Sequence, residues 1–117
     1  MAKHLSTGKQ GENDAVEYLK EKGYQILYQN YRYKHAEIDI IAQREKLIVF
    51  VEVKTRSNLS FGMPESFVNT NKVRLITKAA DQYIFQQNWH GNIRFDIISV
   101  IITPQKTEIE HFEDAFY

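Results

Sequence analysis

The pattern of apolar and polar residues predicts a buried central strand from Leu47 to Arg56. Five apolar residues open this stretch, and a short β-branched run that turns polar at its end is typical of a strand. Because side chains alternate along a strand, Phe50, Glu52 and Lys54 share one face, and the three valines between positions 49 and 53 share the other. A carboxylate and an ammonium group therefore project from the same face of the strand. Each needs a partner, because burying a lone charge is costly.

A second strand, Glu37–Gln43, precedes the central strand, and the residues between them suffice only for a hairpin turn. A turn at Glu45–Lys46 sets Asp39 opposite Glu52, whereas a turn one residue earlier makes Glu52 its diagonal neighbour. Both alternatives predict that Asp39, Glu52 and Lys54 share a face, with the Cβ atoms of the two acids about 5 to 8 Å apart. Two such carboxylates repel unless a cation lies between them, and oxygen ligands favour Mg²⁺.

The remaining pattern predicts two helices and further strands, and hence an α/β sandwich with a mixed central sheet flanked by helices, in the order αβββαβ. The first helix is expected to stop at Gly23 and the second before Gly91, since glycine commonly ends helices. The predicted elements besides the two strands above are helices at Thr7–Lys22 and from Asn69 or Thr70 to about Asn88, and strands at Tyr24–Tyr33, Ile93–Ile102 and, as a short edge strand, Glu108–Phe112.

Composition narrows the class of protein. A length of 117 residues suits a single domain spanning residues 1–117, and the absence of cysteine excludes disulfides and thiolate metal sites. The first nine residues are polar and no stretch approaches a membrane span, so we expect a cytoplasmic protein without a signal peptide or membrane association. A formal net charge of zero gives no support for broad attraction to nucleic acid, so any basic surface must be local.

Several charged residues outside the two strands have both a structural and a functional interpretation. Glu12 projects from the apolar stripe of the first helix, either as a surface residue near the helix dipole or as a further acid facing the strand site. Arg32 and Lys34 interleave with tyrosines, a pattern typical of half-buried aromatics beside solvated charge or of contacts to bases and phosphates. Lys72, in the first turn of the second helix, is either a solvated surface residue or a residue that binds phosphate. Arg56 opens a polar loop at the site-bearing end of the central strand, where functional loops tend to lie.

An acidic residue on one strand followed by Glu-x-Lys on the next is the signature of the PD-(D/E)xK nuclease superfamily, here Asp39 with Glu52-Val53-Lys54. Together with further motifs, it resembles the YraN-like family of small bacterial proteins, related to archaeal Holliday-junction resolvases, over essentially the whole chain. One departure is Ala36, where many members have glycine. The further motifs are Gly-x-x-Gly-Glu at 8–12, Glu-Ile-Asp-Ile-Ile-Ala at 37–42, Val-Phe-Val-Glu-Val-Lys-Thr-Arg at 49–56, Phe-Gly-x-Pro-Glu at 61–65, Arg-Phe-Asp-Ile-Ile at 94–98 and Ile-x-His-Phe-x-x-Ala-Phe at 109–116.

This resemblance implies a restriction-endonuclease-like fold and metal-dependent cleavage of DNA, including branched DNA. By resemblance, Asp39 and Glu52 are ligands of Mg²⁺, for which Mn²⁺ can substitute, and Lys54 is the catalytic lysine. Glu12 corresponds to the helix glutamate of the resolvases. Symmetric resolution of a junction would require a homodimer.

The chemistry of phosphodiester hydrolysis agrees with these roles. A metal held by the two strand acids, with the carbonyl of Val53 as a third ligand, would acidify water, and Lys54 would orient that water or stabilise phosphoryl charge. Glu12 could hold a metal-bound water or a second ion, and Glu37 shares the Asp39 face by strand parity as an accessory group. The alternatives are a strand-end salt bridge of Lys54 with one acid, a non-catalytic nucleic-acid-binding or adaptor module, and a scaffold without a nucleic-acid partner.

Overall fold

Two helices pack on opposite faces of a mixed five-stranded sheet in the computed structural model, which describes residues 7–57 and 69–116. The strands lie in chain order across the sheet; β3 and β4 are parallel and the other neighbouring pairs are antiparallel. This arrangement confirms the predicted αβββαβ order and edge strand, and it is consistent with a nuclease-like core. The elements are α1 (Thr7–Glu21), β1 (Gln25–Tyr33), β2 (Ala36–Arg44), β3 (Leu47–Arg56), α2 (Thr70–Gln87), β4 (Asn92–Ile102) and β5 (Thr107–Phe112).

The ends of both helices follow local backbone chemistry. Gly23 adopts a φ of 92° just after α1, a conformation that glycine tolerates and that ends helices. Asn69 caps α2 by accepting a hydrogen bond from the amide of Lys72 at 2.9 Å. The prediction that α2 ends near Asn88 is confirmed, because Asn88 takes the left-handed conformation with a φ of 53° directly after Gln87. Asn88, and not Gly91 three residues further on, is the C-cap. Over the residues that the structure describes, no helix is long and apolar enough to cross a membrane.

The alternation of β3 divides the interior into two apolar clusters. Val49 and Val51 pack with α1 on one face of the sheet, whereas Ile48 and Phe50 pack with α2 on the other. This confirms the alternation predicted for the central strand. Because the strand is covered on both faces, its exposed chemistry is confined to the polar residues at its carboxyl end.

The hairpin between β2 and β3 has the first of the two predicted registers. Arg44 pairs with Leu47, and the backbone pairing continues to Ile40 opposite Val51. The turn is therefore Glu45–Lys46, and Glu45 has a φ of 56° as tight hairpin turns require. The ladder ends at this pair, so Asp39 lies one residue beyond the last paired residue of β2.

Close packing joins the first turns of α1 to the end of β3. A β-carbon at Gly11 would lie 2.0 Å from Oγ1 of Thr55, so only glycine allows this approach. The same turn carries Glu12, and the contact therefore fixes where that carboxylate lies relative to the strand.

We predict that Gly11→Ala lowers the free energy of unfolding by about 1 to 3 kcal/mol, because the added methyl group must push α1 away from Thr55. Urea denaturation measures the change. The matched control is Gly8→Ala in the same helix, where a β-carbon would meet nothing within 4 Å and alanine should be neutral or stabilising. Equal effects of the two substitutions would contradict the close approach.

Candidate functional site

Asp39 lies where the hydrogen-bonded pairing of β2 and β3 ends. The backbone register stops at Ile40 opposite Val51, and Oδ2 of Asp39 then accepts a hydrogen bond of 2.7 Å from the amide nitrogen of Val53. The side-chain carboxylate of Asp39 thus accepts the hydrogen bond of an amide group that has no backbone partner in β2. The contact holds the carboxylate at the carboxyl end of the central strand.

A cleft of about 340 Å³ opens beside this carboxylate, on the α1 side of the sheet. Glu12 of α1 and Glu37 of β2 line the cleft together with Asp39, and Asn30 and Thr55 complete its polar wall. Glu12 also accepts a hydrogen bond of 3.4 Å from Gln29. The structure therefore brings together the two strand-β2 acids and the helix acid that the sequence singled out.

The electrostatics of this cleft are unfavourable for a charged Asp39. Burial, followed by repulsion from Glu52 and smaller contributions from Glu12 and Glu37, raises the pKa of Asp39 to about 7, although the hydrogen bond from Val53 acts in the opposite direction. A carboxyl group with such a pKa exchanges its proton readily near neutral pH. Perturbations of this kind are common at functional sites.

Glu52 lies on the α2 side of the sheet, with two lysines at one of its oxygens. Oε2 is 3.2 Å from Nζ of Lys54 and 2.5 Å from Nζ of Lys72 on α2. Burial, together with the charge of Lys72, lowers the pKa of Lys54 despite the opposing effect of Glu52. Burial also acts to lower the pKa of Lys72, but the hydrogen bond to Glu52 and the charge of Glu52, with smaller contributions from Lys54 and Asp39, together raise it. The three groups form a compact charge cluster.

The predicted common face of Asp39, Glu52 and Lys54 is wrong. Strict alternation fails in β2, since Ile38 and Ile41 both pack on the α2 side while Ile40 packs on the α1 side. Asp39 accordingly lies in the α1-side cleft, whereas the other two face α2. The two acids still interact electrostatically, because the charge of Glu52 contributes to the raised pKa of Asp39.

The basic residues predicted from the sequence occupy different places. Arg32 pairs with Glu37 at 3.5 Å, at the edge of the acidic cleft. Nη1 of Arg56 donates to the carbonyl of Thr55 at 2.9 Å, just past the site-bearing end of β3. Lys34 lies over the ring of Tyr33 and lines a separate cleft beside α2. The loop motif at 61–65 falls outside the described residues.

The oxygen atoms at this strand end could bind a hard divalent cation only if water completed most of its coordination shell. Within residues 7–57 and 69–116, no three His, Asp or Glu side chains are gathered closely enough to hold a metal ion. Mg²⁺, however, is usually bound by one or two carboxylates and completes its shell with water. Asp39 and Glu52 are the two carboxylates nearest this strand end, but Asp39 lines the α1-side cleft whereas Glu52 is already paired with Lys54 and Lys72.

A buried charge network surrounds Asp96. The guanidinium of Arg94 donates two hydrogen bonds of 2.8 Å to the carboxylate. The structure adds Nε2 of His111 at 2.7 Å and the amide of Asp114 at 3.0 Å, both outside β4. Burial opposes ionisation, but the hydrogen bonds of His111 and Arg94 lower the pKa of Asp96. Nδ1 of His111 lies 3.1 Å from the hydroxyl of Tyr18, so the network ties β5 to α1.

Comparison with known proteins identifies the family. The model of "Uncharacterised protein family UPF0102" matches residues 11–100 of the 117. The chain belongs to the UPF0102 family. UPF0102 proteins of Flavobacterium psychrophilum and Bacteroides thetaiotaomicron are 50% and 46% identical over the whole chain, which covers 98% and 97% of their lengths. The resemblance drawn from the motifs is thus confirmed, and the UPF0102 match includes every candidate site residue from Glu12 to Lys72.

We predict that Asp39→Asn stabilises this UPF0102 chain at pH 8. The pKa of Asp39 is about 7 in the folded chain against an ordinary value of 3.8, so the unfolded chain ionises first and stability falls as the pH rises from about 4 to 7. Asparagine carries no charge and can still accept from Val53. Urea denaturation without divalent ions should show a gain of up to about 4 kcal/mol at pH 8 that vanishes towards pH 4.

The control for this pH dependence is Glu45→Gln, which removes an exposed carboxylate from the hairpin turn. Its stability curve should run parallel to that of the wild type across the same pH range. A gain from Asp39→Asn that did not change with pH would contradict a protonation equilibrium at Asp39.

Proposed function

We propose that this UPF0102 chain is a divalent-metal-dependent DNA endonuclease that hydrolyses phosphodiester bonds at the carboxyl end of β3, with branched DNA as a candidate substrate. The observation that carries the proposal is the gathering of carboxylates around Asp39 beside the Glu52–Lys54 pair. Burial and the nearby acids raise the pKa of Asp39 to about 7, which is the electrostatic signature of a site that favours a cation.

The oxygen atoms of the strand end are the metal ligands in this proposal. Asp39 and Glu52 would hold Mg²⁺, or Mn²⁺ in its place, with the carbonyl of Val53 as a third oxygen. When bound, the ion lowers the pKa of coordinated water and stabilises negative charge on phosphoryl oxygens. Glu12 and Glu37 line the same cleft and would hold water or a second ion against Asp39.

Lys54 supplies the remaining charge. Its ammonium lies 3.2 Å from Glu52 and is half-buried at the strand end, where it can donate to a phosphoryl oxygen or orient the attacking water. Burial lowers its pKa, so it also loses a proton more easily than an exposed lysine. Lys72 would leave Glu52 for a phosphate as a cation takes its place, and Arg56 and Arg32 would contact the DNA backbone.

One observation favours a second candidate, a nucleic-acid-binding or adaptor module without catalysis. Two ammonium groups already neutralise Glu52, so this acid needs no metal for its charge to be satisfied. A module of this kind would bind DNA in a salt-dependent manner, without effect of divalent ions or of Asp39→Ala.

Calorimetric titration with Mg²⁺ at pH 8 tests the metal site. We expect saturable binding that Asp39→Asn weakens at least about tenfold, since one ligand charge is lost. Lys72→Met should tighten binding, because an ammonium that competes for Oε2 of Glu52 is removed. In the wild type, affinity should rise with pH up to about 7, where Asp39 loses its proton, and then level off.

The control for Lys72 is Arg74→Met, because Arg74 is on the same helix but hydrogen-bonds to Asn71. This variant should bind Mg²⁺ like the wild type. Mg²⁺ affinity that is the same in Asp39→Asn and in the wild type would remove Asp39 from the metal site.

Cleavage assays test the activity directly. Purified protein with Mg²⁺ should cut flapped or four-way DNA, and Asp39→Ala and Lys54→Ala should each reduce the rate at least about a hundredfold, as loss of a charge-stabilising group does. Lys46→Ala, in the exposed hairpin turn at the other end of β3, is the control and should retain the rate. Cleavage that survives both substitutions would exclude this site.

A further inference from the structure

A second cleft lies between the β1–β2 turn and α2. It has a volume of about 460 Å³, within the range of roughly 300 to 1,000 Å³ that small-ligand sites occupy. Tyr33 and Ala36 line it from the sheet, and Leu75 and Lys78 line it from the helix. None of these residues belongs to the acidic cleft around Asp39.

The chemistry of this second cleft combines an aromatic and apolar wall with positive charge. Tyr33 and Leu75 are half-buried and Ala36 is buried, so the floor is apolar. Lys34 and Lys78 are exposed at its edge, against a single acid, Asp81. Nζ of Lys34 is 5.4 Å from the ring centroid of Tyr33, so a cation lies against an aromatic face in this cleft. A planar ring that carries a phosphate matches this arrangement.

The second cleft lies on the same side of the sheet as Glu52 and is connected to it along α2. Lys72, which contacts Glu52, is followed at intervals of three residues by Leu75 and Lys78, and residues with this spacing are neighbours on a helix surface. Six residues at 1.5 Å each separate Lys72 from Lys78 by about 9 Å along the helix axis. A nucleic-acid strand that passes Lys72 can therefore reach the second cleft within a few nucleotides.

We propose that the second cleft binds one unpaired nucleotide of a DNA strand whose backbone passes Glu52 and Lys54, so that the substrate is DNA with a single-stranded or extruded base. The choice of DNA rests on the proposed function. A base inside a duplex is stacked between its neighbours and cannot enter a concave site without leaving the helix. Stacking on an aromatic ring with cations at the phosphate is the usual way in which proteins bind unpaired strands.

Fluorescence anisotropy without divalent ions tests the second cleft before any chemistry occurs. The probes are a labelled blunt duplex, the same duplex with a short oligothymidine flap, and the free oligothymidine. We expect the flap to bind about tenfold more tightly than the blunt duplex, a factor within the range of one base stacked on an aromatic side chain. Tyr33→Leu and Lys78→Ala should each remove most of this preference, whereas Tyr33→Phe should retain it.

Two further measurements separate the second cleft from a general effect on folding or charge. Lys20→Ala removes an exposed lysine from α1, which packs on the opposite face, and should leave the flap preference unchanged. A 2-aminopurine placed in the flap should lose fluorescence on binding through stacking on Tyr33, and Tyr33→Leu should abolish this quenching. Lys78 is exposed, so its replacement tests the second cleft even if the Tyr33 variants unfold.

The outcomes distinguish this inference from the proposed function. Equal affinity for flap and blunt duplex, or a preference unchanged in Tyr33→Leu and Lys78→Ala, would overturn the nucleotide site. Metal-dependent cleavage accompanied by that result would leave the nuclease proposal standing. A flap preference that requires Tyr33, without cleavage under any divalent ion, would support the nucleotide site and favour the non-catalytic candidate.

Discussion

The hydrogen bond from the amide of Val53 to Asp39 is the contact on which the arrangement of the strand end depends. Backbone pairing of β2 and β3 stops one residue earlier, and an unpaired buried amide would be costly. The carboxylate satisfies that amide and is held at the sheet end, where burial and neighbouring acids act against its charge. This hydrogen bond therefore follows directly after the last backbone pair of β2 and β3. It also holds in place Asp39, the carboxyl group whose pKa is raised at this end of the sheet.

Charge at the end of β3 is distributed unequally between the two faces. On the α1 side, acids gather around Asp39, whereas on the α2 side Glu52 is balanced by two ammonium groups. The sheet therefore separates a region of negative potential around Asp39 from a cluster in which one carboxylate faces two ammonium groups, for a net charge of +1. A formal net charge of zero thus conceals strong local fields, and total charge is a poor guide to what such a protein binds.

The apolar pattern was sufficient to predict the elements, their order and the two faces of β3, because burial follows the periodicity of strands and helices. It also limited the hairpin to two registers, of which the structure has the one with the turn at Glu45–Lys46. Parity failed at Asp39 itself, since the alternation in β2 breaks between Ile38 and Ile41, and no apolar pattern signals a local irregularity of this kind. The partners of Asp96 were missed for a different reason, because His111 reaches it only through the pairing of β5 with β4.

The close contact of Gly11 with Thr55 determines how a ligand can reach Asp39. Because no space exists between the helix and the strand at that point, the acidic cleft is closed beneath α1. A ligand of Asp39 must therefore fit among Glu12, Asn30 and Glu37, which line the rest of the cleft. A substitution at Gly11 that displaced α1 would change the shape of this space as well as the stability of the fold.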